Sequence, residues 1–451
     1  MWESLRKGLS LNSSGAAAWC RGPFADCAWQ RAKGQVMEKR NKQMDVLLCL
    51  GIILVVLGHV GADSWKTKLF NWFVIYSFHM PLFFFVSGYF YKPERENRLG
   101  HSILRMIKKF VVPYYIWNLI YGAVVFALKD AGLVRFNLDR SIRNFFVTPW
   151  TTGDQYQLNS PAWFLLTLFL AEAVYLLLRK LLSFRKKQNE YALTVLFLGM
   201  GLAGGGMMVY GAARDGMLVL AKMLYAIAFY HLGHLYKVKL EKIDRLGNGA
   251  YFGILFIIQY FLMVKTDGFP YISMWNGSIT TMGKNIVLPM AVALTGIAFM
   301  LRVSRILAPS LGDSAAVKRL SLSTKSIMLH HYAVIVFFNV ALSLIHKNIF
   351  SLPGFDENWL SVLYKYPGPN GRPELFCTVY ILLCLAVPVG GSMLFRKLCR
   401  LGEPVKLQIM KSASAVSRHR GVSLREDAPQ MEGEETHDIE SDRQAAVSRG
   451  K

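Results

Sequence analysis

Charged residues are scarce in this chain, and that scarcity excludes an ordinary soluble domain. Only 18% of the 451 residues are charged, whereas 53% are hydrophobic and 13% are aromatic. In a soluble globular domain about a quarter of the residues are charged. The composition therefore predicts an all-α fold, in the form of a polytopic membrane helix bundle.

Hydrophobic runs of membrane length recur along the sequence, and no soluble catalytic domain interrupts them. A run of about 18 or more mostly apolar residues is long enough to cross a bilayer as a helix. We expect about ten such spans, at residues 44–62, 70–91, 110–128, 162–178, 191–210, 217–236, 248–264, 285–301, 326–345 and 375–395. Any activity must then be built from the helices and their connecting loops.

The two ends of the chain lack this hydrophobic pattern. No apolar stretch of about 7–15 residues precedes the first span, so a cleavable signal peptide is not predicted. Residues 1–43 are expected to form a cytoplasmic tail. Either this tail is disordered, or the true start of the protein is Met37. Residues 44–400 would form the membrane domain, and the polar residues 401–451 predict a second disordered cytoplasmic tail.

Acidic residues are few relative to basic ones, which gives the chain a net charge of +23. If the N-terminus is cytoplasmic, the inner loops hold 20 Lys and Arg, and the outer loops, although longer in total, hold 12. This asymmetry follows the positive-inside rule, and it predicts a multi-pass protein of the cell membrane with both termini in the cytoplasm. Contact with lipid headgroups is sufficient to explain the basic clusters, so a nucleic-acid partner is not predicted.

Several motifs of well-known chemistry are missing from the sequence. The six cysteines do not have the spacing with histidine that a metal site requires, and no metal is predicted. Ser-x-x-Lys, Gly-x-Ser-x-Gly and phosphate-loop patterns are also missing. The sequence therefore gives no support to a covalent serine mechanism, and it predicts no tightly bound cofactor.

Two histidines lie in consecutive apolar runs and are the strongest functional signal. His59 is near the end of MDVLLCLGIILVVLGHV, and His79 lies within YSFHMPLFFFVSGYF. A polar side chain in hydrocarbon costs a few kcal/mol unless it has a partner or a wet cavity, so we expect the two to share a polar pocket. His59 is a candidate general base; the alternative is a buried histidine hydrogen-bonded to a neighbouring helix. Asp45, 14 residues earlier, lies about 21 Å away along the helix axis and cannot contact His59.

Five segments of the chain carry a resemblance to a known family. They are VVLGH at the end of the first span, then FHMPLFFFVSGYFY, RMIKKFVVPYYIWN, SPAWFLLTLF and STKSIMLHH. Over residues 44–400 the chain resembles the acyltransferase 3 family of integral membrane acyltransferases, and within it the fucose 4-O-acetylase-like branch. In the last segment Thr324, Ile327 and His331 match the spacing of the family's Thr-x-x-Ile-x-x-x-His signature.

The resemblance implies transfer of an acyl group, commonly acetyl, from acyl-coenzyme A to a hydroxyl of a sugar or surface polysaccharide. His59 would then be the catalytic residue and His79 its partner. Leu48 stands where the family's first span commonly has Arg or Lys, a position suited to the donor's phosphates. Arg105 and Lys108, together with Lys109, precede Pro113 at the third span and are candidates to bind those phosphates; positive-inside anchoring is the alternative.

Three further residues are candidates for substrate binding, namely Trp163, Glu172 and His331. Trp163 and Glu172 are nine residues apart on opposite faces of one helix, so we do not expect them to line the same wall. His330 and His331 project about 100° apart, so only one can face a given pocket, and the family spacing favours His331. For Lys222, in the sixth span, snorkelling toward a helix end is a sufficient explanation.

Two long outer loops, 129–161 and 346–374, are rich in Asn, Asp, Pro, Gly and aromatic residues. Such loops can cover a pocket that binds a polar ligand, or they can be solvated connectors. The leading hypothesis is a membrane O-acyltransferase whose donor is acetyl-CoA or another acyl-CoA. The alternatives are a transporter or exporter of a glycan or small polar substrate, and a catalytically inactive acyltransferase-like protein, to which the Leu48 departure lends weight.

Overall fold

The computed structural model describes a helical bundle. It describes residues 40–60, 72–134, 136, 140–153, 156–183, 189–264, 271–280, 282–356, 365–368 and 374–398. Within this part of the chain the secondary structure is almost entirely helical, apart from one two-stranded hairpin. The predicted tails at 1–43 and 401–451 lie outside the described residues, except for the last four residues of the first.

Each of the ten predicted apolar runs falls on a helix. We number these helices α1 to α10; they are Lys42–Val60, Ile75–Tyr89, Val112–Asp130, Trp163–Ser183, Glu190–Val209, Gly216–Leu235, Asn248–Val264, Leu288–Leu311, Ala315–Asn348 and Glu374–Leu398. Shorter helical segments precede α3 at Pro93–Arg98, Leu99–Met106 and Ile107–Val111, and others lie at Ile142–Phe146, Thr148–Thr151, Gln157–Ala162, Tyr236–Leu240, Glu241–Ile243 and Met282–Lys284.

The predicted number of about ten membrane spans is not confirmed. Among the described residues, eight helices are long and apolar enough to cross a bilayer. The other two are α2, with 15 residues, and α7, with 17 residues. At 1.5 Å per residue they extend about 22 and 26 Å, whereas a hydrocarbon core is about 30 Å thick.

Two glycines hold α2 and α6 in direct backbone contact. A Cβ added at Gly88 of α2 would lie 1.7 Å from the carbonyl oxygen of Tyr230, and one added at Gly233 of α6 would lie 1.9 Å from that of Phe85. Small residues at a helix interface let backbones approach closely, which is a main source of helix association in membranes. The two helices therefore cross with their backbones in contact, and α1 packs against α2 in the core.

The lone hairpin joins α7 to α8 and has a clear inner face. Strand β1, Tyr271–Ser273, pairs antiparallel with β2, Ser278–Thr280, and Ile272 lies opposite Ile279. Both isoleucines are buried, as is Met274 in the turn. At the tip Gly277 has φ +66°, and a Cβ there would lie 2.3 Å from a methyl carbon of Leu218. The hairpin is thereby seated against the first turn of α6.

The close contact between α2 and α6 makes a test of packing. Gly88→Ala places a methyl group on the carbonyl of Tyr230 and is expected to lower the free energy of unfolding by roughly 3 kcal/mol, as overpacking does. Gly253→Ala is the matched control, because a Cβ there meets open space. Thermal unfolding in detergent should show a lower melting temperature for the first variant only. Equal melting of both variants would contradict the backbone contact.

Candidate active site

His59 lies at the last turn of α1 and faces two consecutive residues of α9. Its ring centroid is 5.2 Å from that of His331 and 5.0 Å from that of Tyr332. A hydrogen bond joins the Tyr332 hydroxyl to His59 Nδ1 at 3.3 Å. On the other side, Tyr76 of α2 donates its hydroxyl proton to the carbonyl oxygen of Gly58 at 2.9 Å. Three helices thus fix the position of the His59 ring.

The tautomer of His331 follows from its partner. Its Nδ1 lies 2.8 Å from the carbonyl oxygen of Ile327, and a carbonyl only accepts, so Nδ1 carries the proton and donates. In the neutral ring Nε2 is then an acceptor. This nitrogen is fully buried and makes no hydrogen bond to any described residue. An unsatisfied acceptor therefore lies in the ring that packs against His59.

A small, partly open pocket surrounds the exposed side of His59. Its walls combine α1, α2, α4 and α9 with two connecting segments; the lining residues are Val55, His59, Met80, Ser160, Pro161, Trp163, Trp275, Met328 and Tyr332. Trp163 begins α4 and is 5% exposed, whereas Trp275 in the hairpin turn is 49% exposed. The pocket thus has two indole rings, a hydroxyl-bearing wall and one imidazole that reaches its interior.

His79 is close to this pocket but is not among its lining residues. Its Nδ1–H donates to the carbonyl oxygen of Ile75 at 2.8 Å, and the ring is 5% exposed. Tyr76 lies between the two histidines, with ring centroids 5.3 Å from His79 and 6.4 Å from His59. His79 therefore sits behind Tyr76, and its predicted role as a catalytic partner remains a prediction.

Asp45 lies at the opposite end of α1 and joins α1 to α9. The carboxylate accepts a hydrogen bond from Arg40 Nε at 2.8 Å and one from the Ser321 hydroxyl at 3.1 Å. Arg40 also donates to the Ser321 hydroxyl at 3.0 Å. Asp45 is thus a structural residue in this arrangement, far from the pocket.

Glu172 forms an ion pair and does not line the pocket. Its carboxylate binds the guanidinium of Arg95, in the 3₁₀ segment before α3, and both side chains are largely buried. This pair borders a larger buried network in which Arg179 donates to Glu96 and Glu190 at 3.0 and 2.9 Å. Sequence reasoning missed Arg95 and Arg179, because their partners lie on other helices.

Tyr91 completes that network just before the 3₁₀ segment. Its hydroxyl donates to Glu96 Oε1 at 2.8 Å. Burial raises the pKa of the Tyr91 hydroxyl well above its usual value, so the group stays protonated and keeps donating. The Tyr91 hydroxyl therefore keeps its hydrogen bond to Glu96, and the network joins segments at one end of the bundle.

The basic residues proposed for the donor phosphates lie exposed on the segment that leads into α3. Arg105 contacts His101 through its NH2 group at 2.9 Å. Lys108 is exposed, whereas Pro113 is buried at the first turn of α3. Exposure leaves these cations accessible to an anion, and their role stays a prediction.

The adjacent histidines His330 and His331 face different neighbours. His330 bonds to the hydroxyl of Tyr121 at 2.7 Å and packs on Trp117 with ring centroids 4.3 Å apart, whereas His331 contacts His59. Of these two histidines, only His331 is therefore placed beside the pocket, whereas His330 faces α3.

Tyr332 and Trp275 are pocket residues that sequence reasoning missed. Tyr332 directly follows His331 on α9, so their side chains project about 100° apart. The His59 ring lies where it contacts both. Trp275 stands before Asn276 and Gly277, and Asn-Gly between alternating apolar residues is a strong hairpin signal. That signal was present in YISMWNGSIT.

The fold and the pocket define a multi-pass membrane protein with a histidine at a solvent-accessible cavity. The family model for the acyltransferase domain of the acyltransferase 3 family matches residues 41–393. The chain therefore belongs to this family, and it is a membrane acyltransferase. Comparison with curated proteins finds no match, and comparison with solved structures finds none.

The ion pair between Arg95 and Glu172 makes a test of whether Glu172 is structural. Glu172→Gln leaves Arg95 without its partner and should lower the free energy of unfolding by about 3 kcal/mol, the low end for a broken buried pair, because Arg95 remains 22% exposed. Removing both charges, in Arg95→Met with Glu172→Leu, should restore most of the melting temperature. A double variant that is stable but inactive would instead support substrate binding by Glu172.

Proposed function

We propose that this protein transfers an acyl group, and specifically acetyl, from acyl-coenzyme A to a hydroxyl of a sugar or surface polysaccharide. The observation that carries the proposal is the pocket in which His59 meets Trp163 and Trp275. Aromatic rings offer flat apolar faces together with a polar N–H edge, a combination that suits a sugar ring.

The proposed chemistry assigns His59 as the general base. If Nδ1–H donates to the Tyr332 hydroxyl, Nε2 keeps its lone pair for the acceptor. The acceptor hydroxyl then gives its proton to Nε2 while its oxygen attacks the thioester carbonyl. Collapse of the tetrahedral intermediate breaks the carbon–sulfur bond, and the coenzyme A thiolate takes the proton from His59. An ester and a free thiol are the products.

His331 supports this assignment by its buried acceptor. When His59 takes up a proton, its ring becomes a cation that needs a nearby acceptor in a low-dielectric site. Nε2 of His331 lies in the neighbouring ring and has no other hydrogen bond among the described residues. A second route, in which His59 accepts the acyl group transiently before passing it on, uses the same residues.

The two substrates are proposed to reach the site from opposite sides of the membrane. The positive-inside asymmetry favours an N-terminus in the cytoplasm, which sets Asp45 on the inner side and the His59 pocket on the outer side. Acyl-coenzyme A would then enter near Arg105 and Lys108, and the acceptor glycan would arrive from outside the cell. A bacterial-type cell-membrane location and the fucose 4-O-acetylase-like branch belong to the same proposal.

The deciding experiment measures O-acyl esters on surface glycans. We would compare cells that have the native protein, no protein, His59→Gln or His330→Gln, at matched membrane levels. Mass spectrometry before and after mild base reports the ester mass. We expect esters with the native protein and with His330→Gln, whose side chain lies outside the pocket, and none with the other two. Equal ester content in all four strains would refute the proposal and favour transport.

The hydrogen bond between His59 and the Tyr332 hydroxyl allows a second, finer test. Tyr332→Phe keeps the ring but loses the hydroxyl that orients the imidazole. We expect kcat to fall about tenfold, the worth of roughly 1.4 kcal/mol, with the KM for the acyl donor unchanged. Initial rates of purified protein with acyl-coenzyme A and a sugar acceptor would measure both. An unchanged kcat would remove Tyr332 from the mechanism.

A further inference from the structure

Lys222 is a fully buried cation in the second turn of α6, with 0% of its side chain exposed. Snorkelling to a helix end is therefore the wrong explanation for this residue. A buried ammonium inside a membrane bundle is expensive unless other groups replace its water. Two of the groups that do so lie on different described segments, and each of these segments contributes residues to the His59 pocket.

The first partner is the connection between α3 and α4. Lys222 Nζ donates to the carbonyl oxygen of Thr152 at 2.8 Å. Gly153, the next residue, has φ +94°, and a Cβ there would lie 3.2 Å from Lys222 Nζ and 3.3 Å from Trp163 Cβ. A side chain at residue 153 would therefore be strained by the backbone and would make tight contacts with both the lysine and the tryptophan.

The second partner is Trp163 itself. Lys222 Nζ lies 5.0 Å from the centroid of the indole ring, within the distance at which a cation is attracted to an aromatic face. Trp163 lines the pocket beside Ser160 and Pro161. One ammonium therefore holds the ring of the pocket wall directly and holds the chain that leads into that wall through Thr152.

The segment held at Thr152 is already compact. Trp150 donates its indole N–H to the Tyr115 hydroxyl at 2.8 Å, and the hydroxyl of Thr152 donates to the carbonyl oxygen of Thr148 at 3.1 Å. The short helix Thr148–Thr151 is thus tied to α3 at one side and to α6 at the other. Lys222 supplies the tie on the side of the pocket.

We propose that Lys222 is a positioning residue that sets the acceptor wall of the pocket by fastening residues 148–153 and the Trp163 ring in place. It acts through Trp163 and Thr152 and does not itself touch the acceptor. This inference rests on the proposed acyl transfer to a sugar hydroxyl. In this inference Lys222 affects binding of the acceptor, and it affects neither binding of the acyl donor nor the base His59.

The kinetic test uses the full-length protein purified in detergent, with acyl-coenzyme A and a sugar acceptor. Lys222→Met keeps the length of the side chain and removes the charge. We expect the KM for the acceptor to rise about tenfold, the effect of losing a hydrogen bond from a charged group, with kcat and the donor KM within about a factor of two. A fall in kcat without a change in acceptor KM would overturn the proposal.

A second variant reaches the same contacts from the other side. Gly153→Ala pushes against Lys222 and Trp163 while the buried lysine is kept, and we expect the same rise in acceptor KM. If Lys222→Met does not accumulate in membranes, this variant decides, and an unchanged acceptor KM overturns the proposal. Gly132→Ala is the matched control, because Gly132 also has positive φ but meets open space.

A labelling experiment separates failure of this inference from failure of the proposed function. A cysteine at Thr151→Cys is labelled with a membrane-impermeant maleimide, with and without Lys222→Met, and Ser278→Cys on the hairpin is the reference. Labelling at 151 should become several-fold faster without the lysine, and labelling at 278 should not change. If the native protein transfers no acyl group but the labelling difference appears, acyl transfer fails and the fastening stands. Equal labelling rates overturn the fastening.

Discussion

The structure depends on one constraint, which is that polar groups inside a membrane bundle must find partners within the protein. Gln259 illustrates it, because this buried amide of α7 donates to the carbonyl of Trp72 at 2.5 Å and accepts from Thr295 of α8 at 2.7 Å. Lys222 and Glu172 obey the same rule through contacts with other segments. Buried polar side chains such as these thereby join one segment of the bundle to another. His331 is one of several exceptions among the described residues, and in its case the nitrogen without a partner lies in the ring that packs against His59.

The sequence predicted well those features that depend on local pattern. Apolar runs located all ten helices, because the length of a run is set by the residues in it. The sequence predicted the lengths of the helices less well, since α2 ends at Tyr89 and α9 continues for 34 residues. Whether a helix stops at the membrane boundary depends on capping and on neighbours, which hydrophobicity does not report.

In the candidate site, too, the sequence predicted features that depend on local motifs and missed features that depend on distant contacts. The family resemblance, carried by short motifs, singled out His59 and favoured His331 over His330, but it paired His59 with His79 and did not place His331 beside it. The contribution of Trp275 depends on how a hairpin folds over the bundle, and the role of Lys222 depends on a carbonyl 70 residues away. Such contacts join residues that are far apart in the sequence and close in space, so no local pattern could have predicted them. The Asn-Gly turn was the one overlooked local signal.

The hydrogen bonds at the far end of α9 have a mechanical consequence. Ser321 bonds to Asp45 of α1, while Ser323 and Ser326 bond to Ser392 and to the carbonyl of Pro388 on α10. Together they fix the rotation of α9 about its own axis. A turn of about 100° would exchange one residue of the His330–His331–Tyr332 run for its neighbour at the pocket. Asp45, though too distant to touch His59, thus helps to set which side chain of α9 faces the pocket.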